Sequence, residues 1–284
     1  MPIVESNDVT IDRAELKFQI ESEAIDGLVN ALSARLPSYH HGGRQSALAT
    51  LGRHYTTTVY FDTSSHVLWR AAISGDPHIK LRVREYYDVL PLAELAVDEA
   101  EMLRAHRIAW LELKRREGER SFKRRLGVPK HRLAAFLQTP QVDPELRAIQ
   151  RESLGAEGDQ VLAEMLAFLA GLGEPVRASC VVNYTRASWQ SLDCSLRVTL
   201  DEDLAVFAPR AGMWGQDTVL TRAVLGTPAR ALQGAIVEVK SGQACPAWLM
   251  DALSEAGAVR TQNSKFVTAS TTLYGAPPAH ASGD

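Results

Sequence analysis

Residues Ile79–Tyr86 read IKLRVREY, and Trp110–Arg116 read WLELKRR. In a β-strand, residues two apart share a face. Lys80, Arg82 and Arg84 therefore line one face of the first segment, with Ile79, Leu81 and Val83 on the other. In the second, Glu112, Lys114 and Arg116 lie opposite Leu111 and Leu113. The pattern spreads outward along the chain. Arg13, Glu15 and Lys17 share a face of Ile11–Ile20, as do Lys123 and Arg125 in Arg120–Val128, and Tyr184 and Arg186 in Val176–Trp189. Arg197, Thr199 and Asp201 oppose Leu196, Val198 and Leu200, and Glu238 and Lys240 oppose Val237 and Val239. The stretch His54–Phe61, HYTTTVYF, is rich in β-branched and aromatic residues and reads as a further strand.

An antiparallel sheet with one solvated side gives a polar face as a matter of course. Solvated faces usually mix hydroxyls, amides and charges, whereas here like charges stack along single faces. Two cations about 6 Å apart repel by about 3 kcal/mol at an effective dielectric of about 20. Gathering many of them requires a polyanion or interleaved carboxylates. A closed barrel, charged faces inward and apolar faces covered by helices, satisfies both sides and removes exposed sheet edges. A chain of phosphates suits such a lumen, since phosphate takes bidentate arginine contacts and point-charge lysine contacts.

Between these strands the pattern predicts helices over Glu21–Leu36, after an Asp62-Thr63-Ser64 cap, in three pieces across Pro129–Gly171, and over Pro246–Glu255. Gly118 suggests a hairpin between the two strands that flank it. About eight strands with inserted helices, no repeat of fixed period and no Pro/Ser-rich linker give one α+β domain over residues 1–284, with its core at about 11–275. The C-terminal PPAHASGD reads as a frayed tail.

The chain has 284 residues, 31 Lys+Arg against 34 Asp+Glu, and 45% apolar residues. That is globular composition with an ample core. A net charge of −3 argues against a bulk nucleic-acid binder, so any anion site arises from local arrangement. Cys180, Cys194 and Cys245 lack metal-finger or CxxC spacing, which points to packed thiols in a reducing compartment. Glu5, Asp8 and Asp12 precede any apolar run, so no signal peptide is read. The longest apolar stretch, Val161–Gly173, is interrupted by Glu164 and is too short to span a bilayer. A cytoplasmic protein is expected. There is no GxxxxGK[ST], HExxH or GxSxG, and His40-His41 reads as a surface pair in a loop.

Taken in order, RAELKF (Arg13–Phe18), VYFD (Val59–Asp62), KLRVREYY (Lys80–Tyr87), WLELKRR (Trp110–Arg116), SFKRR (Ser121–Arg125), VNYTRASW (Val182–Trp189), LRVTLDEDL (Leu196–Leu204), IVEVKSG (Ile236–Gly242) and NSKF (Asn263–Phe266) resemble the VTC domain. VTC domains are the polyphosphate polymerase branch of the triphosphate tunnel metalloenzymes, which also include the CYTH phosphatases. The resemblance implies a closed, eight-stranded antiparallel tunnel with helices outside, binding ATP or another triphosphate and a divalent metal, Mn²⁺ or Mg²⁺. By motif, it places Lys17, Arg82, Arg84, Lys114, Lys123, Arg186, Arg197, Lys240 and Lys265 along the phosphate path. Arg13, Lys80, Arg125, Tyr184 and Ser264 would add substrate contacts. Glu238 is the leading metal-ligand candidate, with Glu15 beside it. Glu112 reads as a partner of neighbouring cations, while Glu15 and Asp201 fit either role.

Arg13 departs from the ExExK opening of CYTH-type phosphatases, standing where their first Glu would be. That weakens two-metal water activation and favours transfer of the γ-phosphoryl of ATP to phosphate or polyphosphate. A triphosphatase and a non-enzymatic polyphosphate or nucleotide receptor are the alternatives. Of Tyr55, Tyr60, Phe61, Tyr86 and Tyr87, most read as core or strand-pairing residues, and one could stack a nucleobase. Oligomeric state is left open by the sequence.

Overall fold

The computed structural model describes residues 14–39, 53–74, 78–87, 107–117, 120–215, 218–262 and 264–276. Arg13, the His40-His41 pair, the Gly118 turn and the PPAHASGD tail lie outside them.

The architecture is α+β, with an antiparallel sheet of ten strands among the described residues: β1 (Ala14–Ile20), β2 (Arg53–Asp62), β3 (His78–Tyr87), β4 (Ile108–Glu117), β5 (Arg120–Pro129), β6 (Arg177–Gln190), β7 (Leu196–Phe207), β8 (Arg230–Ala231), β9 (Ala235–Ser241) and β10 (Val259–Arg260). Hydrogen-bonded neighbours follow the order β10-β1-β9-β7-β6-β2-β3-β4-β5, and β8 pairs with β7. The helices are α1 (Ile25–Ser33), α2 (Val67–Ser74), α3 (Leu133–Gln138), α4 (Pro144–Leu154), α5 (Gly158–Gly171), the single turn α6 (Arg222–Leu225), α7 (Ala247–Glu255) and α8 (Lys265–Tyr274).

Alternation decides which way each strand faces. Leu81, Val83, Leu111, Leu126 and Val128 point outward into one apolar cluster with Leu133, Phe136, Leu146, Leu162 and Met165 of α3, α4 and α5. Phe18, Val198, Leu200, Val237 and Val239 point outward into a second, beneath Leu28 and Leu32 of α1 and Leu249 and Leu253 of α7. Asp62 supplies the expected cap: its carboxylate accepts the backbone N–H groups of Leu68 and Trp69, each at 2.9 Å, and so fixes α2 to the end of β2.

The closed eight-stranded barrel is corrected. β5 and β10 end the ladder, and no backbone pairing joins them among the described residues. Part of the free edge of β1 is taken by β10, through Phe18 opposite Arg260 and Gln19 opposite Val259, with Thr261 N–H donating to Lys17 O. The sheet is nonetheless rolled. Five strands separate β1 from β4 in the ladder. Flat, they would stand roughly 30 Å apart. Lys114 Nζ on β4 lies 3.8 Å from Glu15 Oε2 on β1. Strands next to the two ends of the ladder thus approach across the inner face, joined by side-chain charges instead of backbone pairing.

The segment around Leu220 is strapped over the outer face. Glu85, whose side chain opposes those of Arg84 and Tyr86, accepts from Leu220 N–H at 2.8 Å and forms an ion pair with Lys130. Lys130, fully buried, also donates to Thr218 O. Thr57 Oγ1 donates to Leu220 O at 2.6 Å. No helix of the described residues is long and apolar enough to cross a membrane.

Candidate functional site

The strand registers assemble the inner face residue by residue. Lys17 lies opposite Glu238 and Glu15 opposite Lys240 on β1 and β9. Lys240 faces Arg197, and Glu238 faces Thr199, across β9 and β7. Arg186 pairs with Asp201 between β6 and β7. On the other half, Lys80 faces Lys114 and Arg82 faces Glu112. Lys114 in turn faces Lys123, and Glu112 faces Arg125. Arg84 lies opposite Thr58. The predicted site residues within the described chain are thus brought together on one side of the rolled sheet.

Lys265 and Ser264 arrive differently. They open α8, which lies against the inner face: Phe266 packs on Tyr60 with ring centroids 5.0 Å apart. Ser264 is the N-cap of α8, its side chain accepting from Val267 N–H. Lys265 Nζ sits 2.6 Å from Asp201 and 4.9 Å from the centre of the Tyr184 ring. Arg186 covers the same ring at 5.3 Å. Reading the sequence as strands alone misses that a helix delivers this lysine; a Ser N-cap ahead of the apolar Phe266, Val267 and Leu273 was the available signal.

The carboxylates divide into two groups. Glu112 serves the cations: it accepts from Arg82 Nε at 2.7 Å and from Arg125 Nε at 3.1 Å, with Lys123 at 3.6 Å. Burial pushes its carboxyl up, but Arg82, Arg84, Lys123 and Arg125 outweigh burial and hold it well below the usual range. Asp201, left open by sequence, is likewise consumed by Arg186 at 2.6 and 2.8 Å and by Lys265. Glu15 and Glu238 form the second group. Their partners are flexible lysine ammoniums, Lys17 at 2.9 Å from Glu15 and Lys240 at 2.8 Å from Glu238. Burial and each other's neighbourhood raise Glu15, yet Lys114, Lys17 and Lys240 leave it below its ordinary value. Burial raises Glu238, and Lys240, Arg186 and Lys17 more than reverse it. Both are therefore ionised oxygen donors.

No group of three or more His, Cys, Asp or Glu suited to a metal occurs among the described residues. A small hard cation such as Mg²⁺ needs no such cage; it is commonly bound by one or two carboxylates plus phosphate oxygens and water. Glu15 and Glu238, on adjacent strands and two residues apart in register on one face, fit that kind of site.

Basic groups outnumber these acids. Lys17, Lys80, Arg82, Arg84, Lys114, Lys123, Arg125, Arg186, Arg197, Lys240 and Lys265 share the inner face with Glu15, Glu112, Asp201 and Glu238. The excess is local, since the whole chain carries −3. Its strain registers in the lysines. Burial, then Lys17, Arg82 and Lys114, push Lys80 down to about 7. Burial pushes Lys114 down to about 8, with Lys240 and Arg82 adding to the effect against Glu15. Donors also stand ready: among the described residues, Arg84 Nε and the hydroxyls of Thr56, Thr58, Tyr184 and Thr199 are buried without a hydrogen-bond partner. Sequence reading overlooked Thr56 and Thr58, although their alternation with Tyr55, Thr57 and Val59 placed them on the face of Tyr60. Among the aromatics, Tyr60 and Tyr86 face inward, whereas Tyr55 and Tyr87 stack on the outer side at 5.1 Å and Phe61 packs on Trp214. Tyr39, also missed, lies over Arg197 at 4.3 Å.

Comparison with known proteins places the chain in a family. Among solved structures, the PH1819 protein from Pyrococcus horikoshii OT3 is similar at 10% identity, covering 90% of this chain and 94% of its own, with a TM-score of 0.40. A Bacillus halodurans protein described as a candidate adenylate cyclase is similar at 11% identity, covering 90% and 95%, with a TM-score of 0.47. No curated protein sequence matches. The family model of the VTC domain matches residues 12–274, from the first strand through α8, and the chain therefore belongs to the VTC domain family.

Proposed function

We propose that this protein is a divalent-metal-dependent phosphotransferase that moves the γ-phosphoryl group of ATP onto phosphate or a growing polyphosphate chain. The observation that carries the reading is the surplus of basic over acidic side chains on one enclosed face, with Glu15 and Glu238 kept ionised among them. A linear polyanion matches a ladder of cations running across several strands better than a compact anion does.

Lys17, Lys80, Arg82, Arg84, Lys114, Lys123, Arg125, Arg186, Arg197, Lys240 and Lys265 hold the phosphates of donor and acceptor. Arg guanidinium groups clamp oxygens in a plane, and Lys ammoniums neutralise charge that spreads over the transferring group. Tyr184 and Ser264 add hydroxyl contacts. Arg13 would add a further phosphate contact. Glu238 and Glu15 would hold Mn²⁺ or Mg²⁺, which when bound neutralises charge on non-bridging phosphate oxygens. The acceptor, a phosphate oxygen, is already ionised at neutral pH, so no general base is required. Catalysis then rests on positioning and charge neutralisation.

Incubation with ATP and Mn²⁺ or Mg²⁺, with products sized on a gel, tests this. Long-chain polyphosphate together with nucleoside diphosphate is the expected result. Orthophosphate as the sole phosphate product would make the protein a triphosphatase, and tight binding without turnover would make it a receptor.

A further inference from the structure

Among the described elements, α8 alone brings a basic group to the inner face from outside the strand ladder, and its placement is set at its far end. Tyr274, nine residues after Lys265 and about 13 Å away along the helix, donates its hydroxyl to Ser179 O at 2.6 Å. Its ring lies 4.3 Å from that of His66 and 6.0 Å from that of Trp69. His66 is held in a left-handed conformation, φ +58°, which non-glycine residues seldom adopt. Its N–H donates to Thr63 O and its carbonyl accepts from Arg70 N–H. Asp62 holds the next turn through Leu68 and Trp69. The ring against Tyr274 is therefore anchored to β2, and the hydroxyl of Tyr274 is anchored to β6. Between these points Ser270 Oγ meets Cys180 Sγ at 3.6 Å, and Phe266 meets Tyr60.

We infer that Tyr274 is a positioning residue, clamped between His66 and Ser179, that sets where α8 lies along β6 and so holds Lys265 at Asp201 and Tyr184. Tyr274 keeps 44% of its surface exposed, so it is not a core-filling residue and its truncation leaves little cavity. Its effect is on register: a shift at the C-terminal end of a rigid helix is passed to its first residue. The consequence for phosphate binding rests on the function proposed above; the placement of Lys265 does not.

The test separates the two. Lysine acylation of the ligand-free protein, read by mass spectrometry, compares Lys265 with Lys240 on β9. In Tyr274→Ala, Lys265 is expected to react several-fold faster with Lys240 unchanged. No change at Lys265, or equal acceleration at both, would overturn the inference. Tyr274→Phe, which keeps the ring and loses only the bond to Ser179, is read in the same way should the alanine variant not fold. For the functional consequence, Tyr274→Ala is expected to weaken inorganic tripolyphosphate binding roughly tenfold, the scale of one charge-assisted hydrogen bond. It should do so only while Lys265 is present; an equal loss in a Lys265→Ala background would remove Tyr274's link to the site. Failure of the wild-type protein to bind tripolyphosphate would defeat the proposed function and leave the acylation result to decide the clamp.

Discussion

Glu15 and Glu238 stand diagonally across the β1–β9 ladder, each opposite the lysine that follows the other two residues on: Glu15 faces Lys240, and Glu238 faces Lys17. The arrangement keeps two carboxylates close without letting them meet unscreened, and it leaves oxygens toward the enclosed face. Glu238→Ala is expected to lower metal-dependent turnover by at least about 100-fold, equivalent to about 3 kcal/mol of transition-state stabilisation. Strand β9 should persist, because Val237 and Val239 on its other face supply the packing. Turnover against Mn²⁺ concentration, with circular dichroism as the fold control, checks this. Near wild-type activity would remove Glu238 from the site.

Arg82 and Arg84 share β3 but differ in what they leave behind. Arg82 is bonded to Glu112, whereas Arg84 has a buried Nε with no partner among the described residues. Replacing either by alanine is expected to weaken tripolyphosphate binding by about 1.5–3 kcal/mol, the scale of a charge-assisted hydrogen bond. Arg82→Ala should be the worse for stability, since Glu112 then loses its shortest contact while still buried. Calorimetric titration of both variants, paired with thermal melts, separates the effects; unchanged affinity in both would contradict the phosphate path.

Much of this site was legible in the sequence because a period of two is unforgiving. Once Leu81 and Val83 are assigned to a core, Lys80, Arg82 and Arg84 must share the other face. The same logic placed Lys114, Lys123, Arg186, Arg197 and Lys240. Alternation says nothing about how strands far apart in the ladder meet, so the approach of Glu15 to Lys114 and the failure of the ladder to close were invisible. Nor does it register a two-residue strand such as β10, which occupies the edge of β1. α8 was missed because Thr268, Thr271 and Thr272 dilute its helical signal. The buried Lys130–Glu85 pair was missed for another reason: Glu85 lies on the apolar face of β3, where periodicity predicts a hydrophobe.

The burial of Lys80 predicts that phosphate binding is proton-linked. In the unfolded chain its amine stays protonated up to about 10.5, and in the folded, ligand-free protein only up to about 7. Between these values the unfolded chain holds the extra proton, so stability rises with pH, and the full cost of the buried charge applies below about 7. A bound polyphosphate supplies the missing counter-charge and raises the lysine again. Tripolyphosphate binding at about pH 8.5 is therefore expected to take up protons at Lys80. Titrations in buffers of different ionisation enthalpy measure the uptake, and Lys80→Met should reduce it. Proton release, or no buffer dependence, would refute the linkage.

The strap over the outer face gives a stability prediction independent of any ligand. Lys130 is fully buried, and its ammonium is satisfied by Glu85 and Thr218 O. Glu85 also accepts from Leu220 N–H. Glu85→Ala leaves a buried ammonium without its counter-charge and an amide without its acceptor. Breaking such a pair from one side costs about 3–5 kcal/mol. Replacing both partners by apolar groups, as in Glu85→Leu with Lys130→Met, removes the stranded charge and is expected to recover a large part of that loss. Chemical denaturation of the three variants checks this. If Glu85→Ala shifts the unfolding free energy by less than about 1 kcal/mol, the range of an exposed pair, then water reaches Lys130 and the strap is not what fastens residues 218–220 to the sheet.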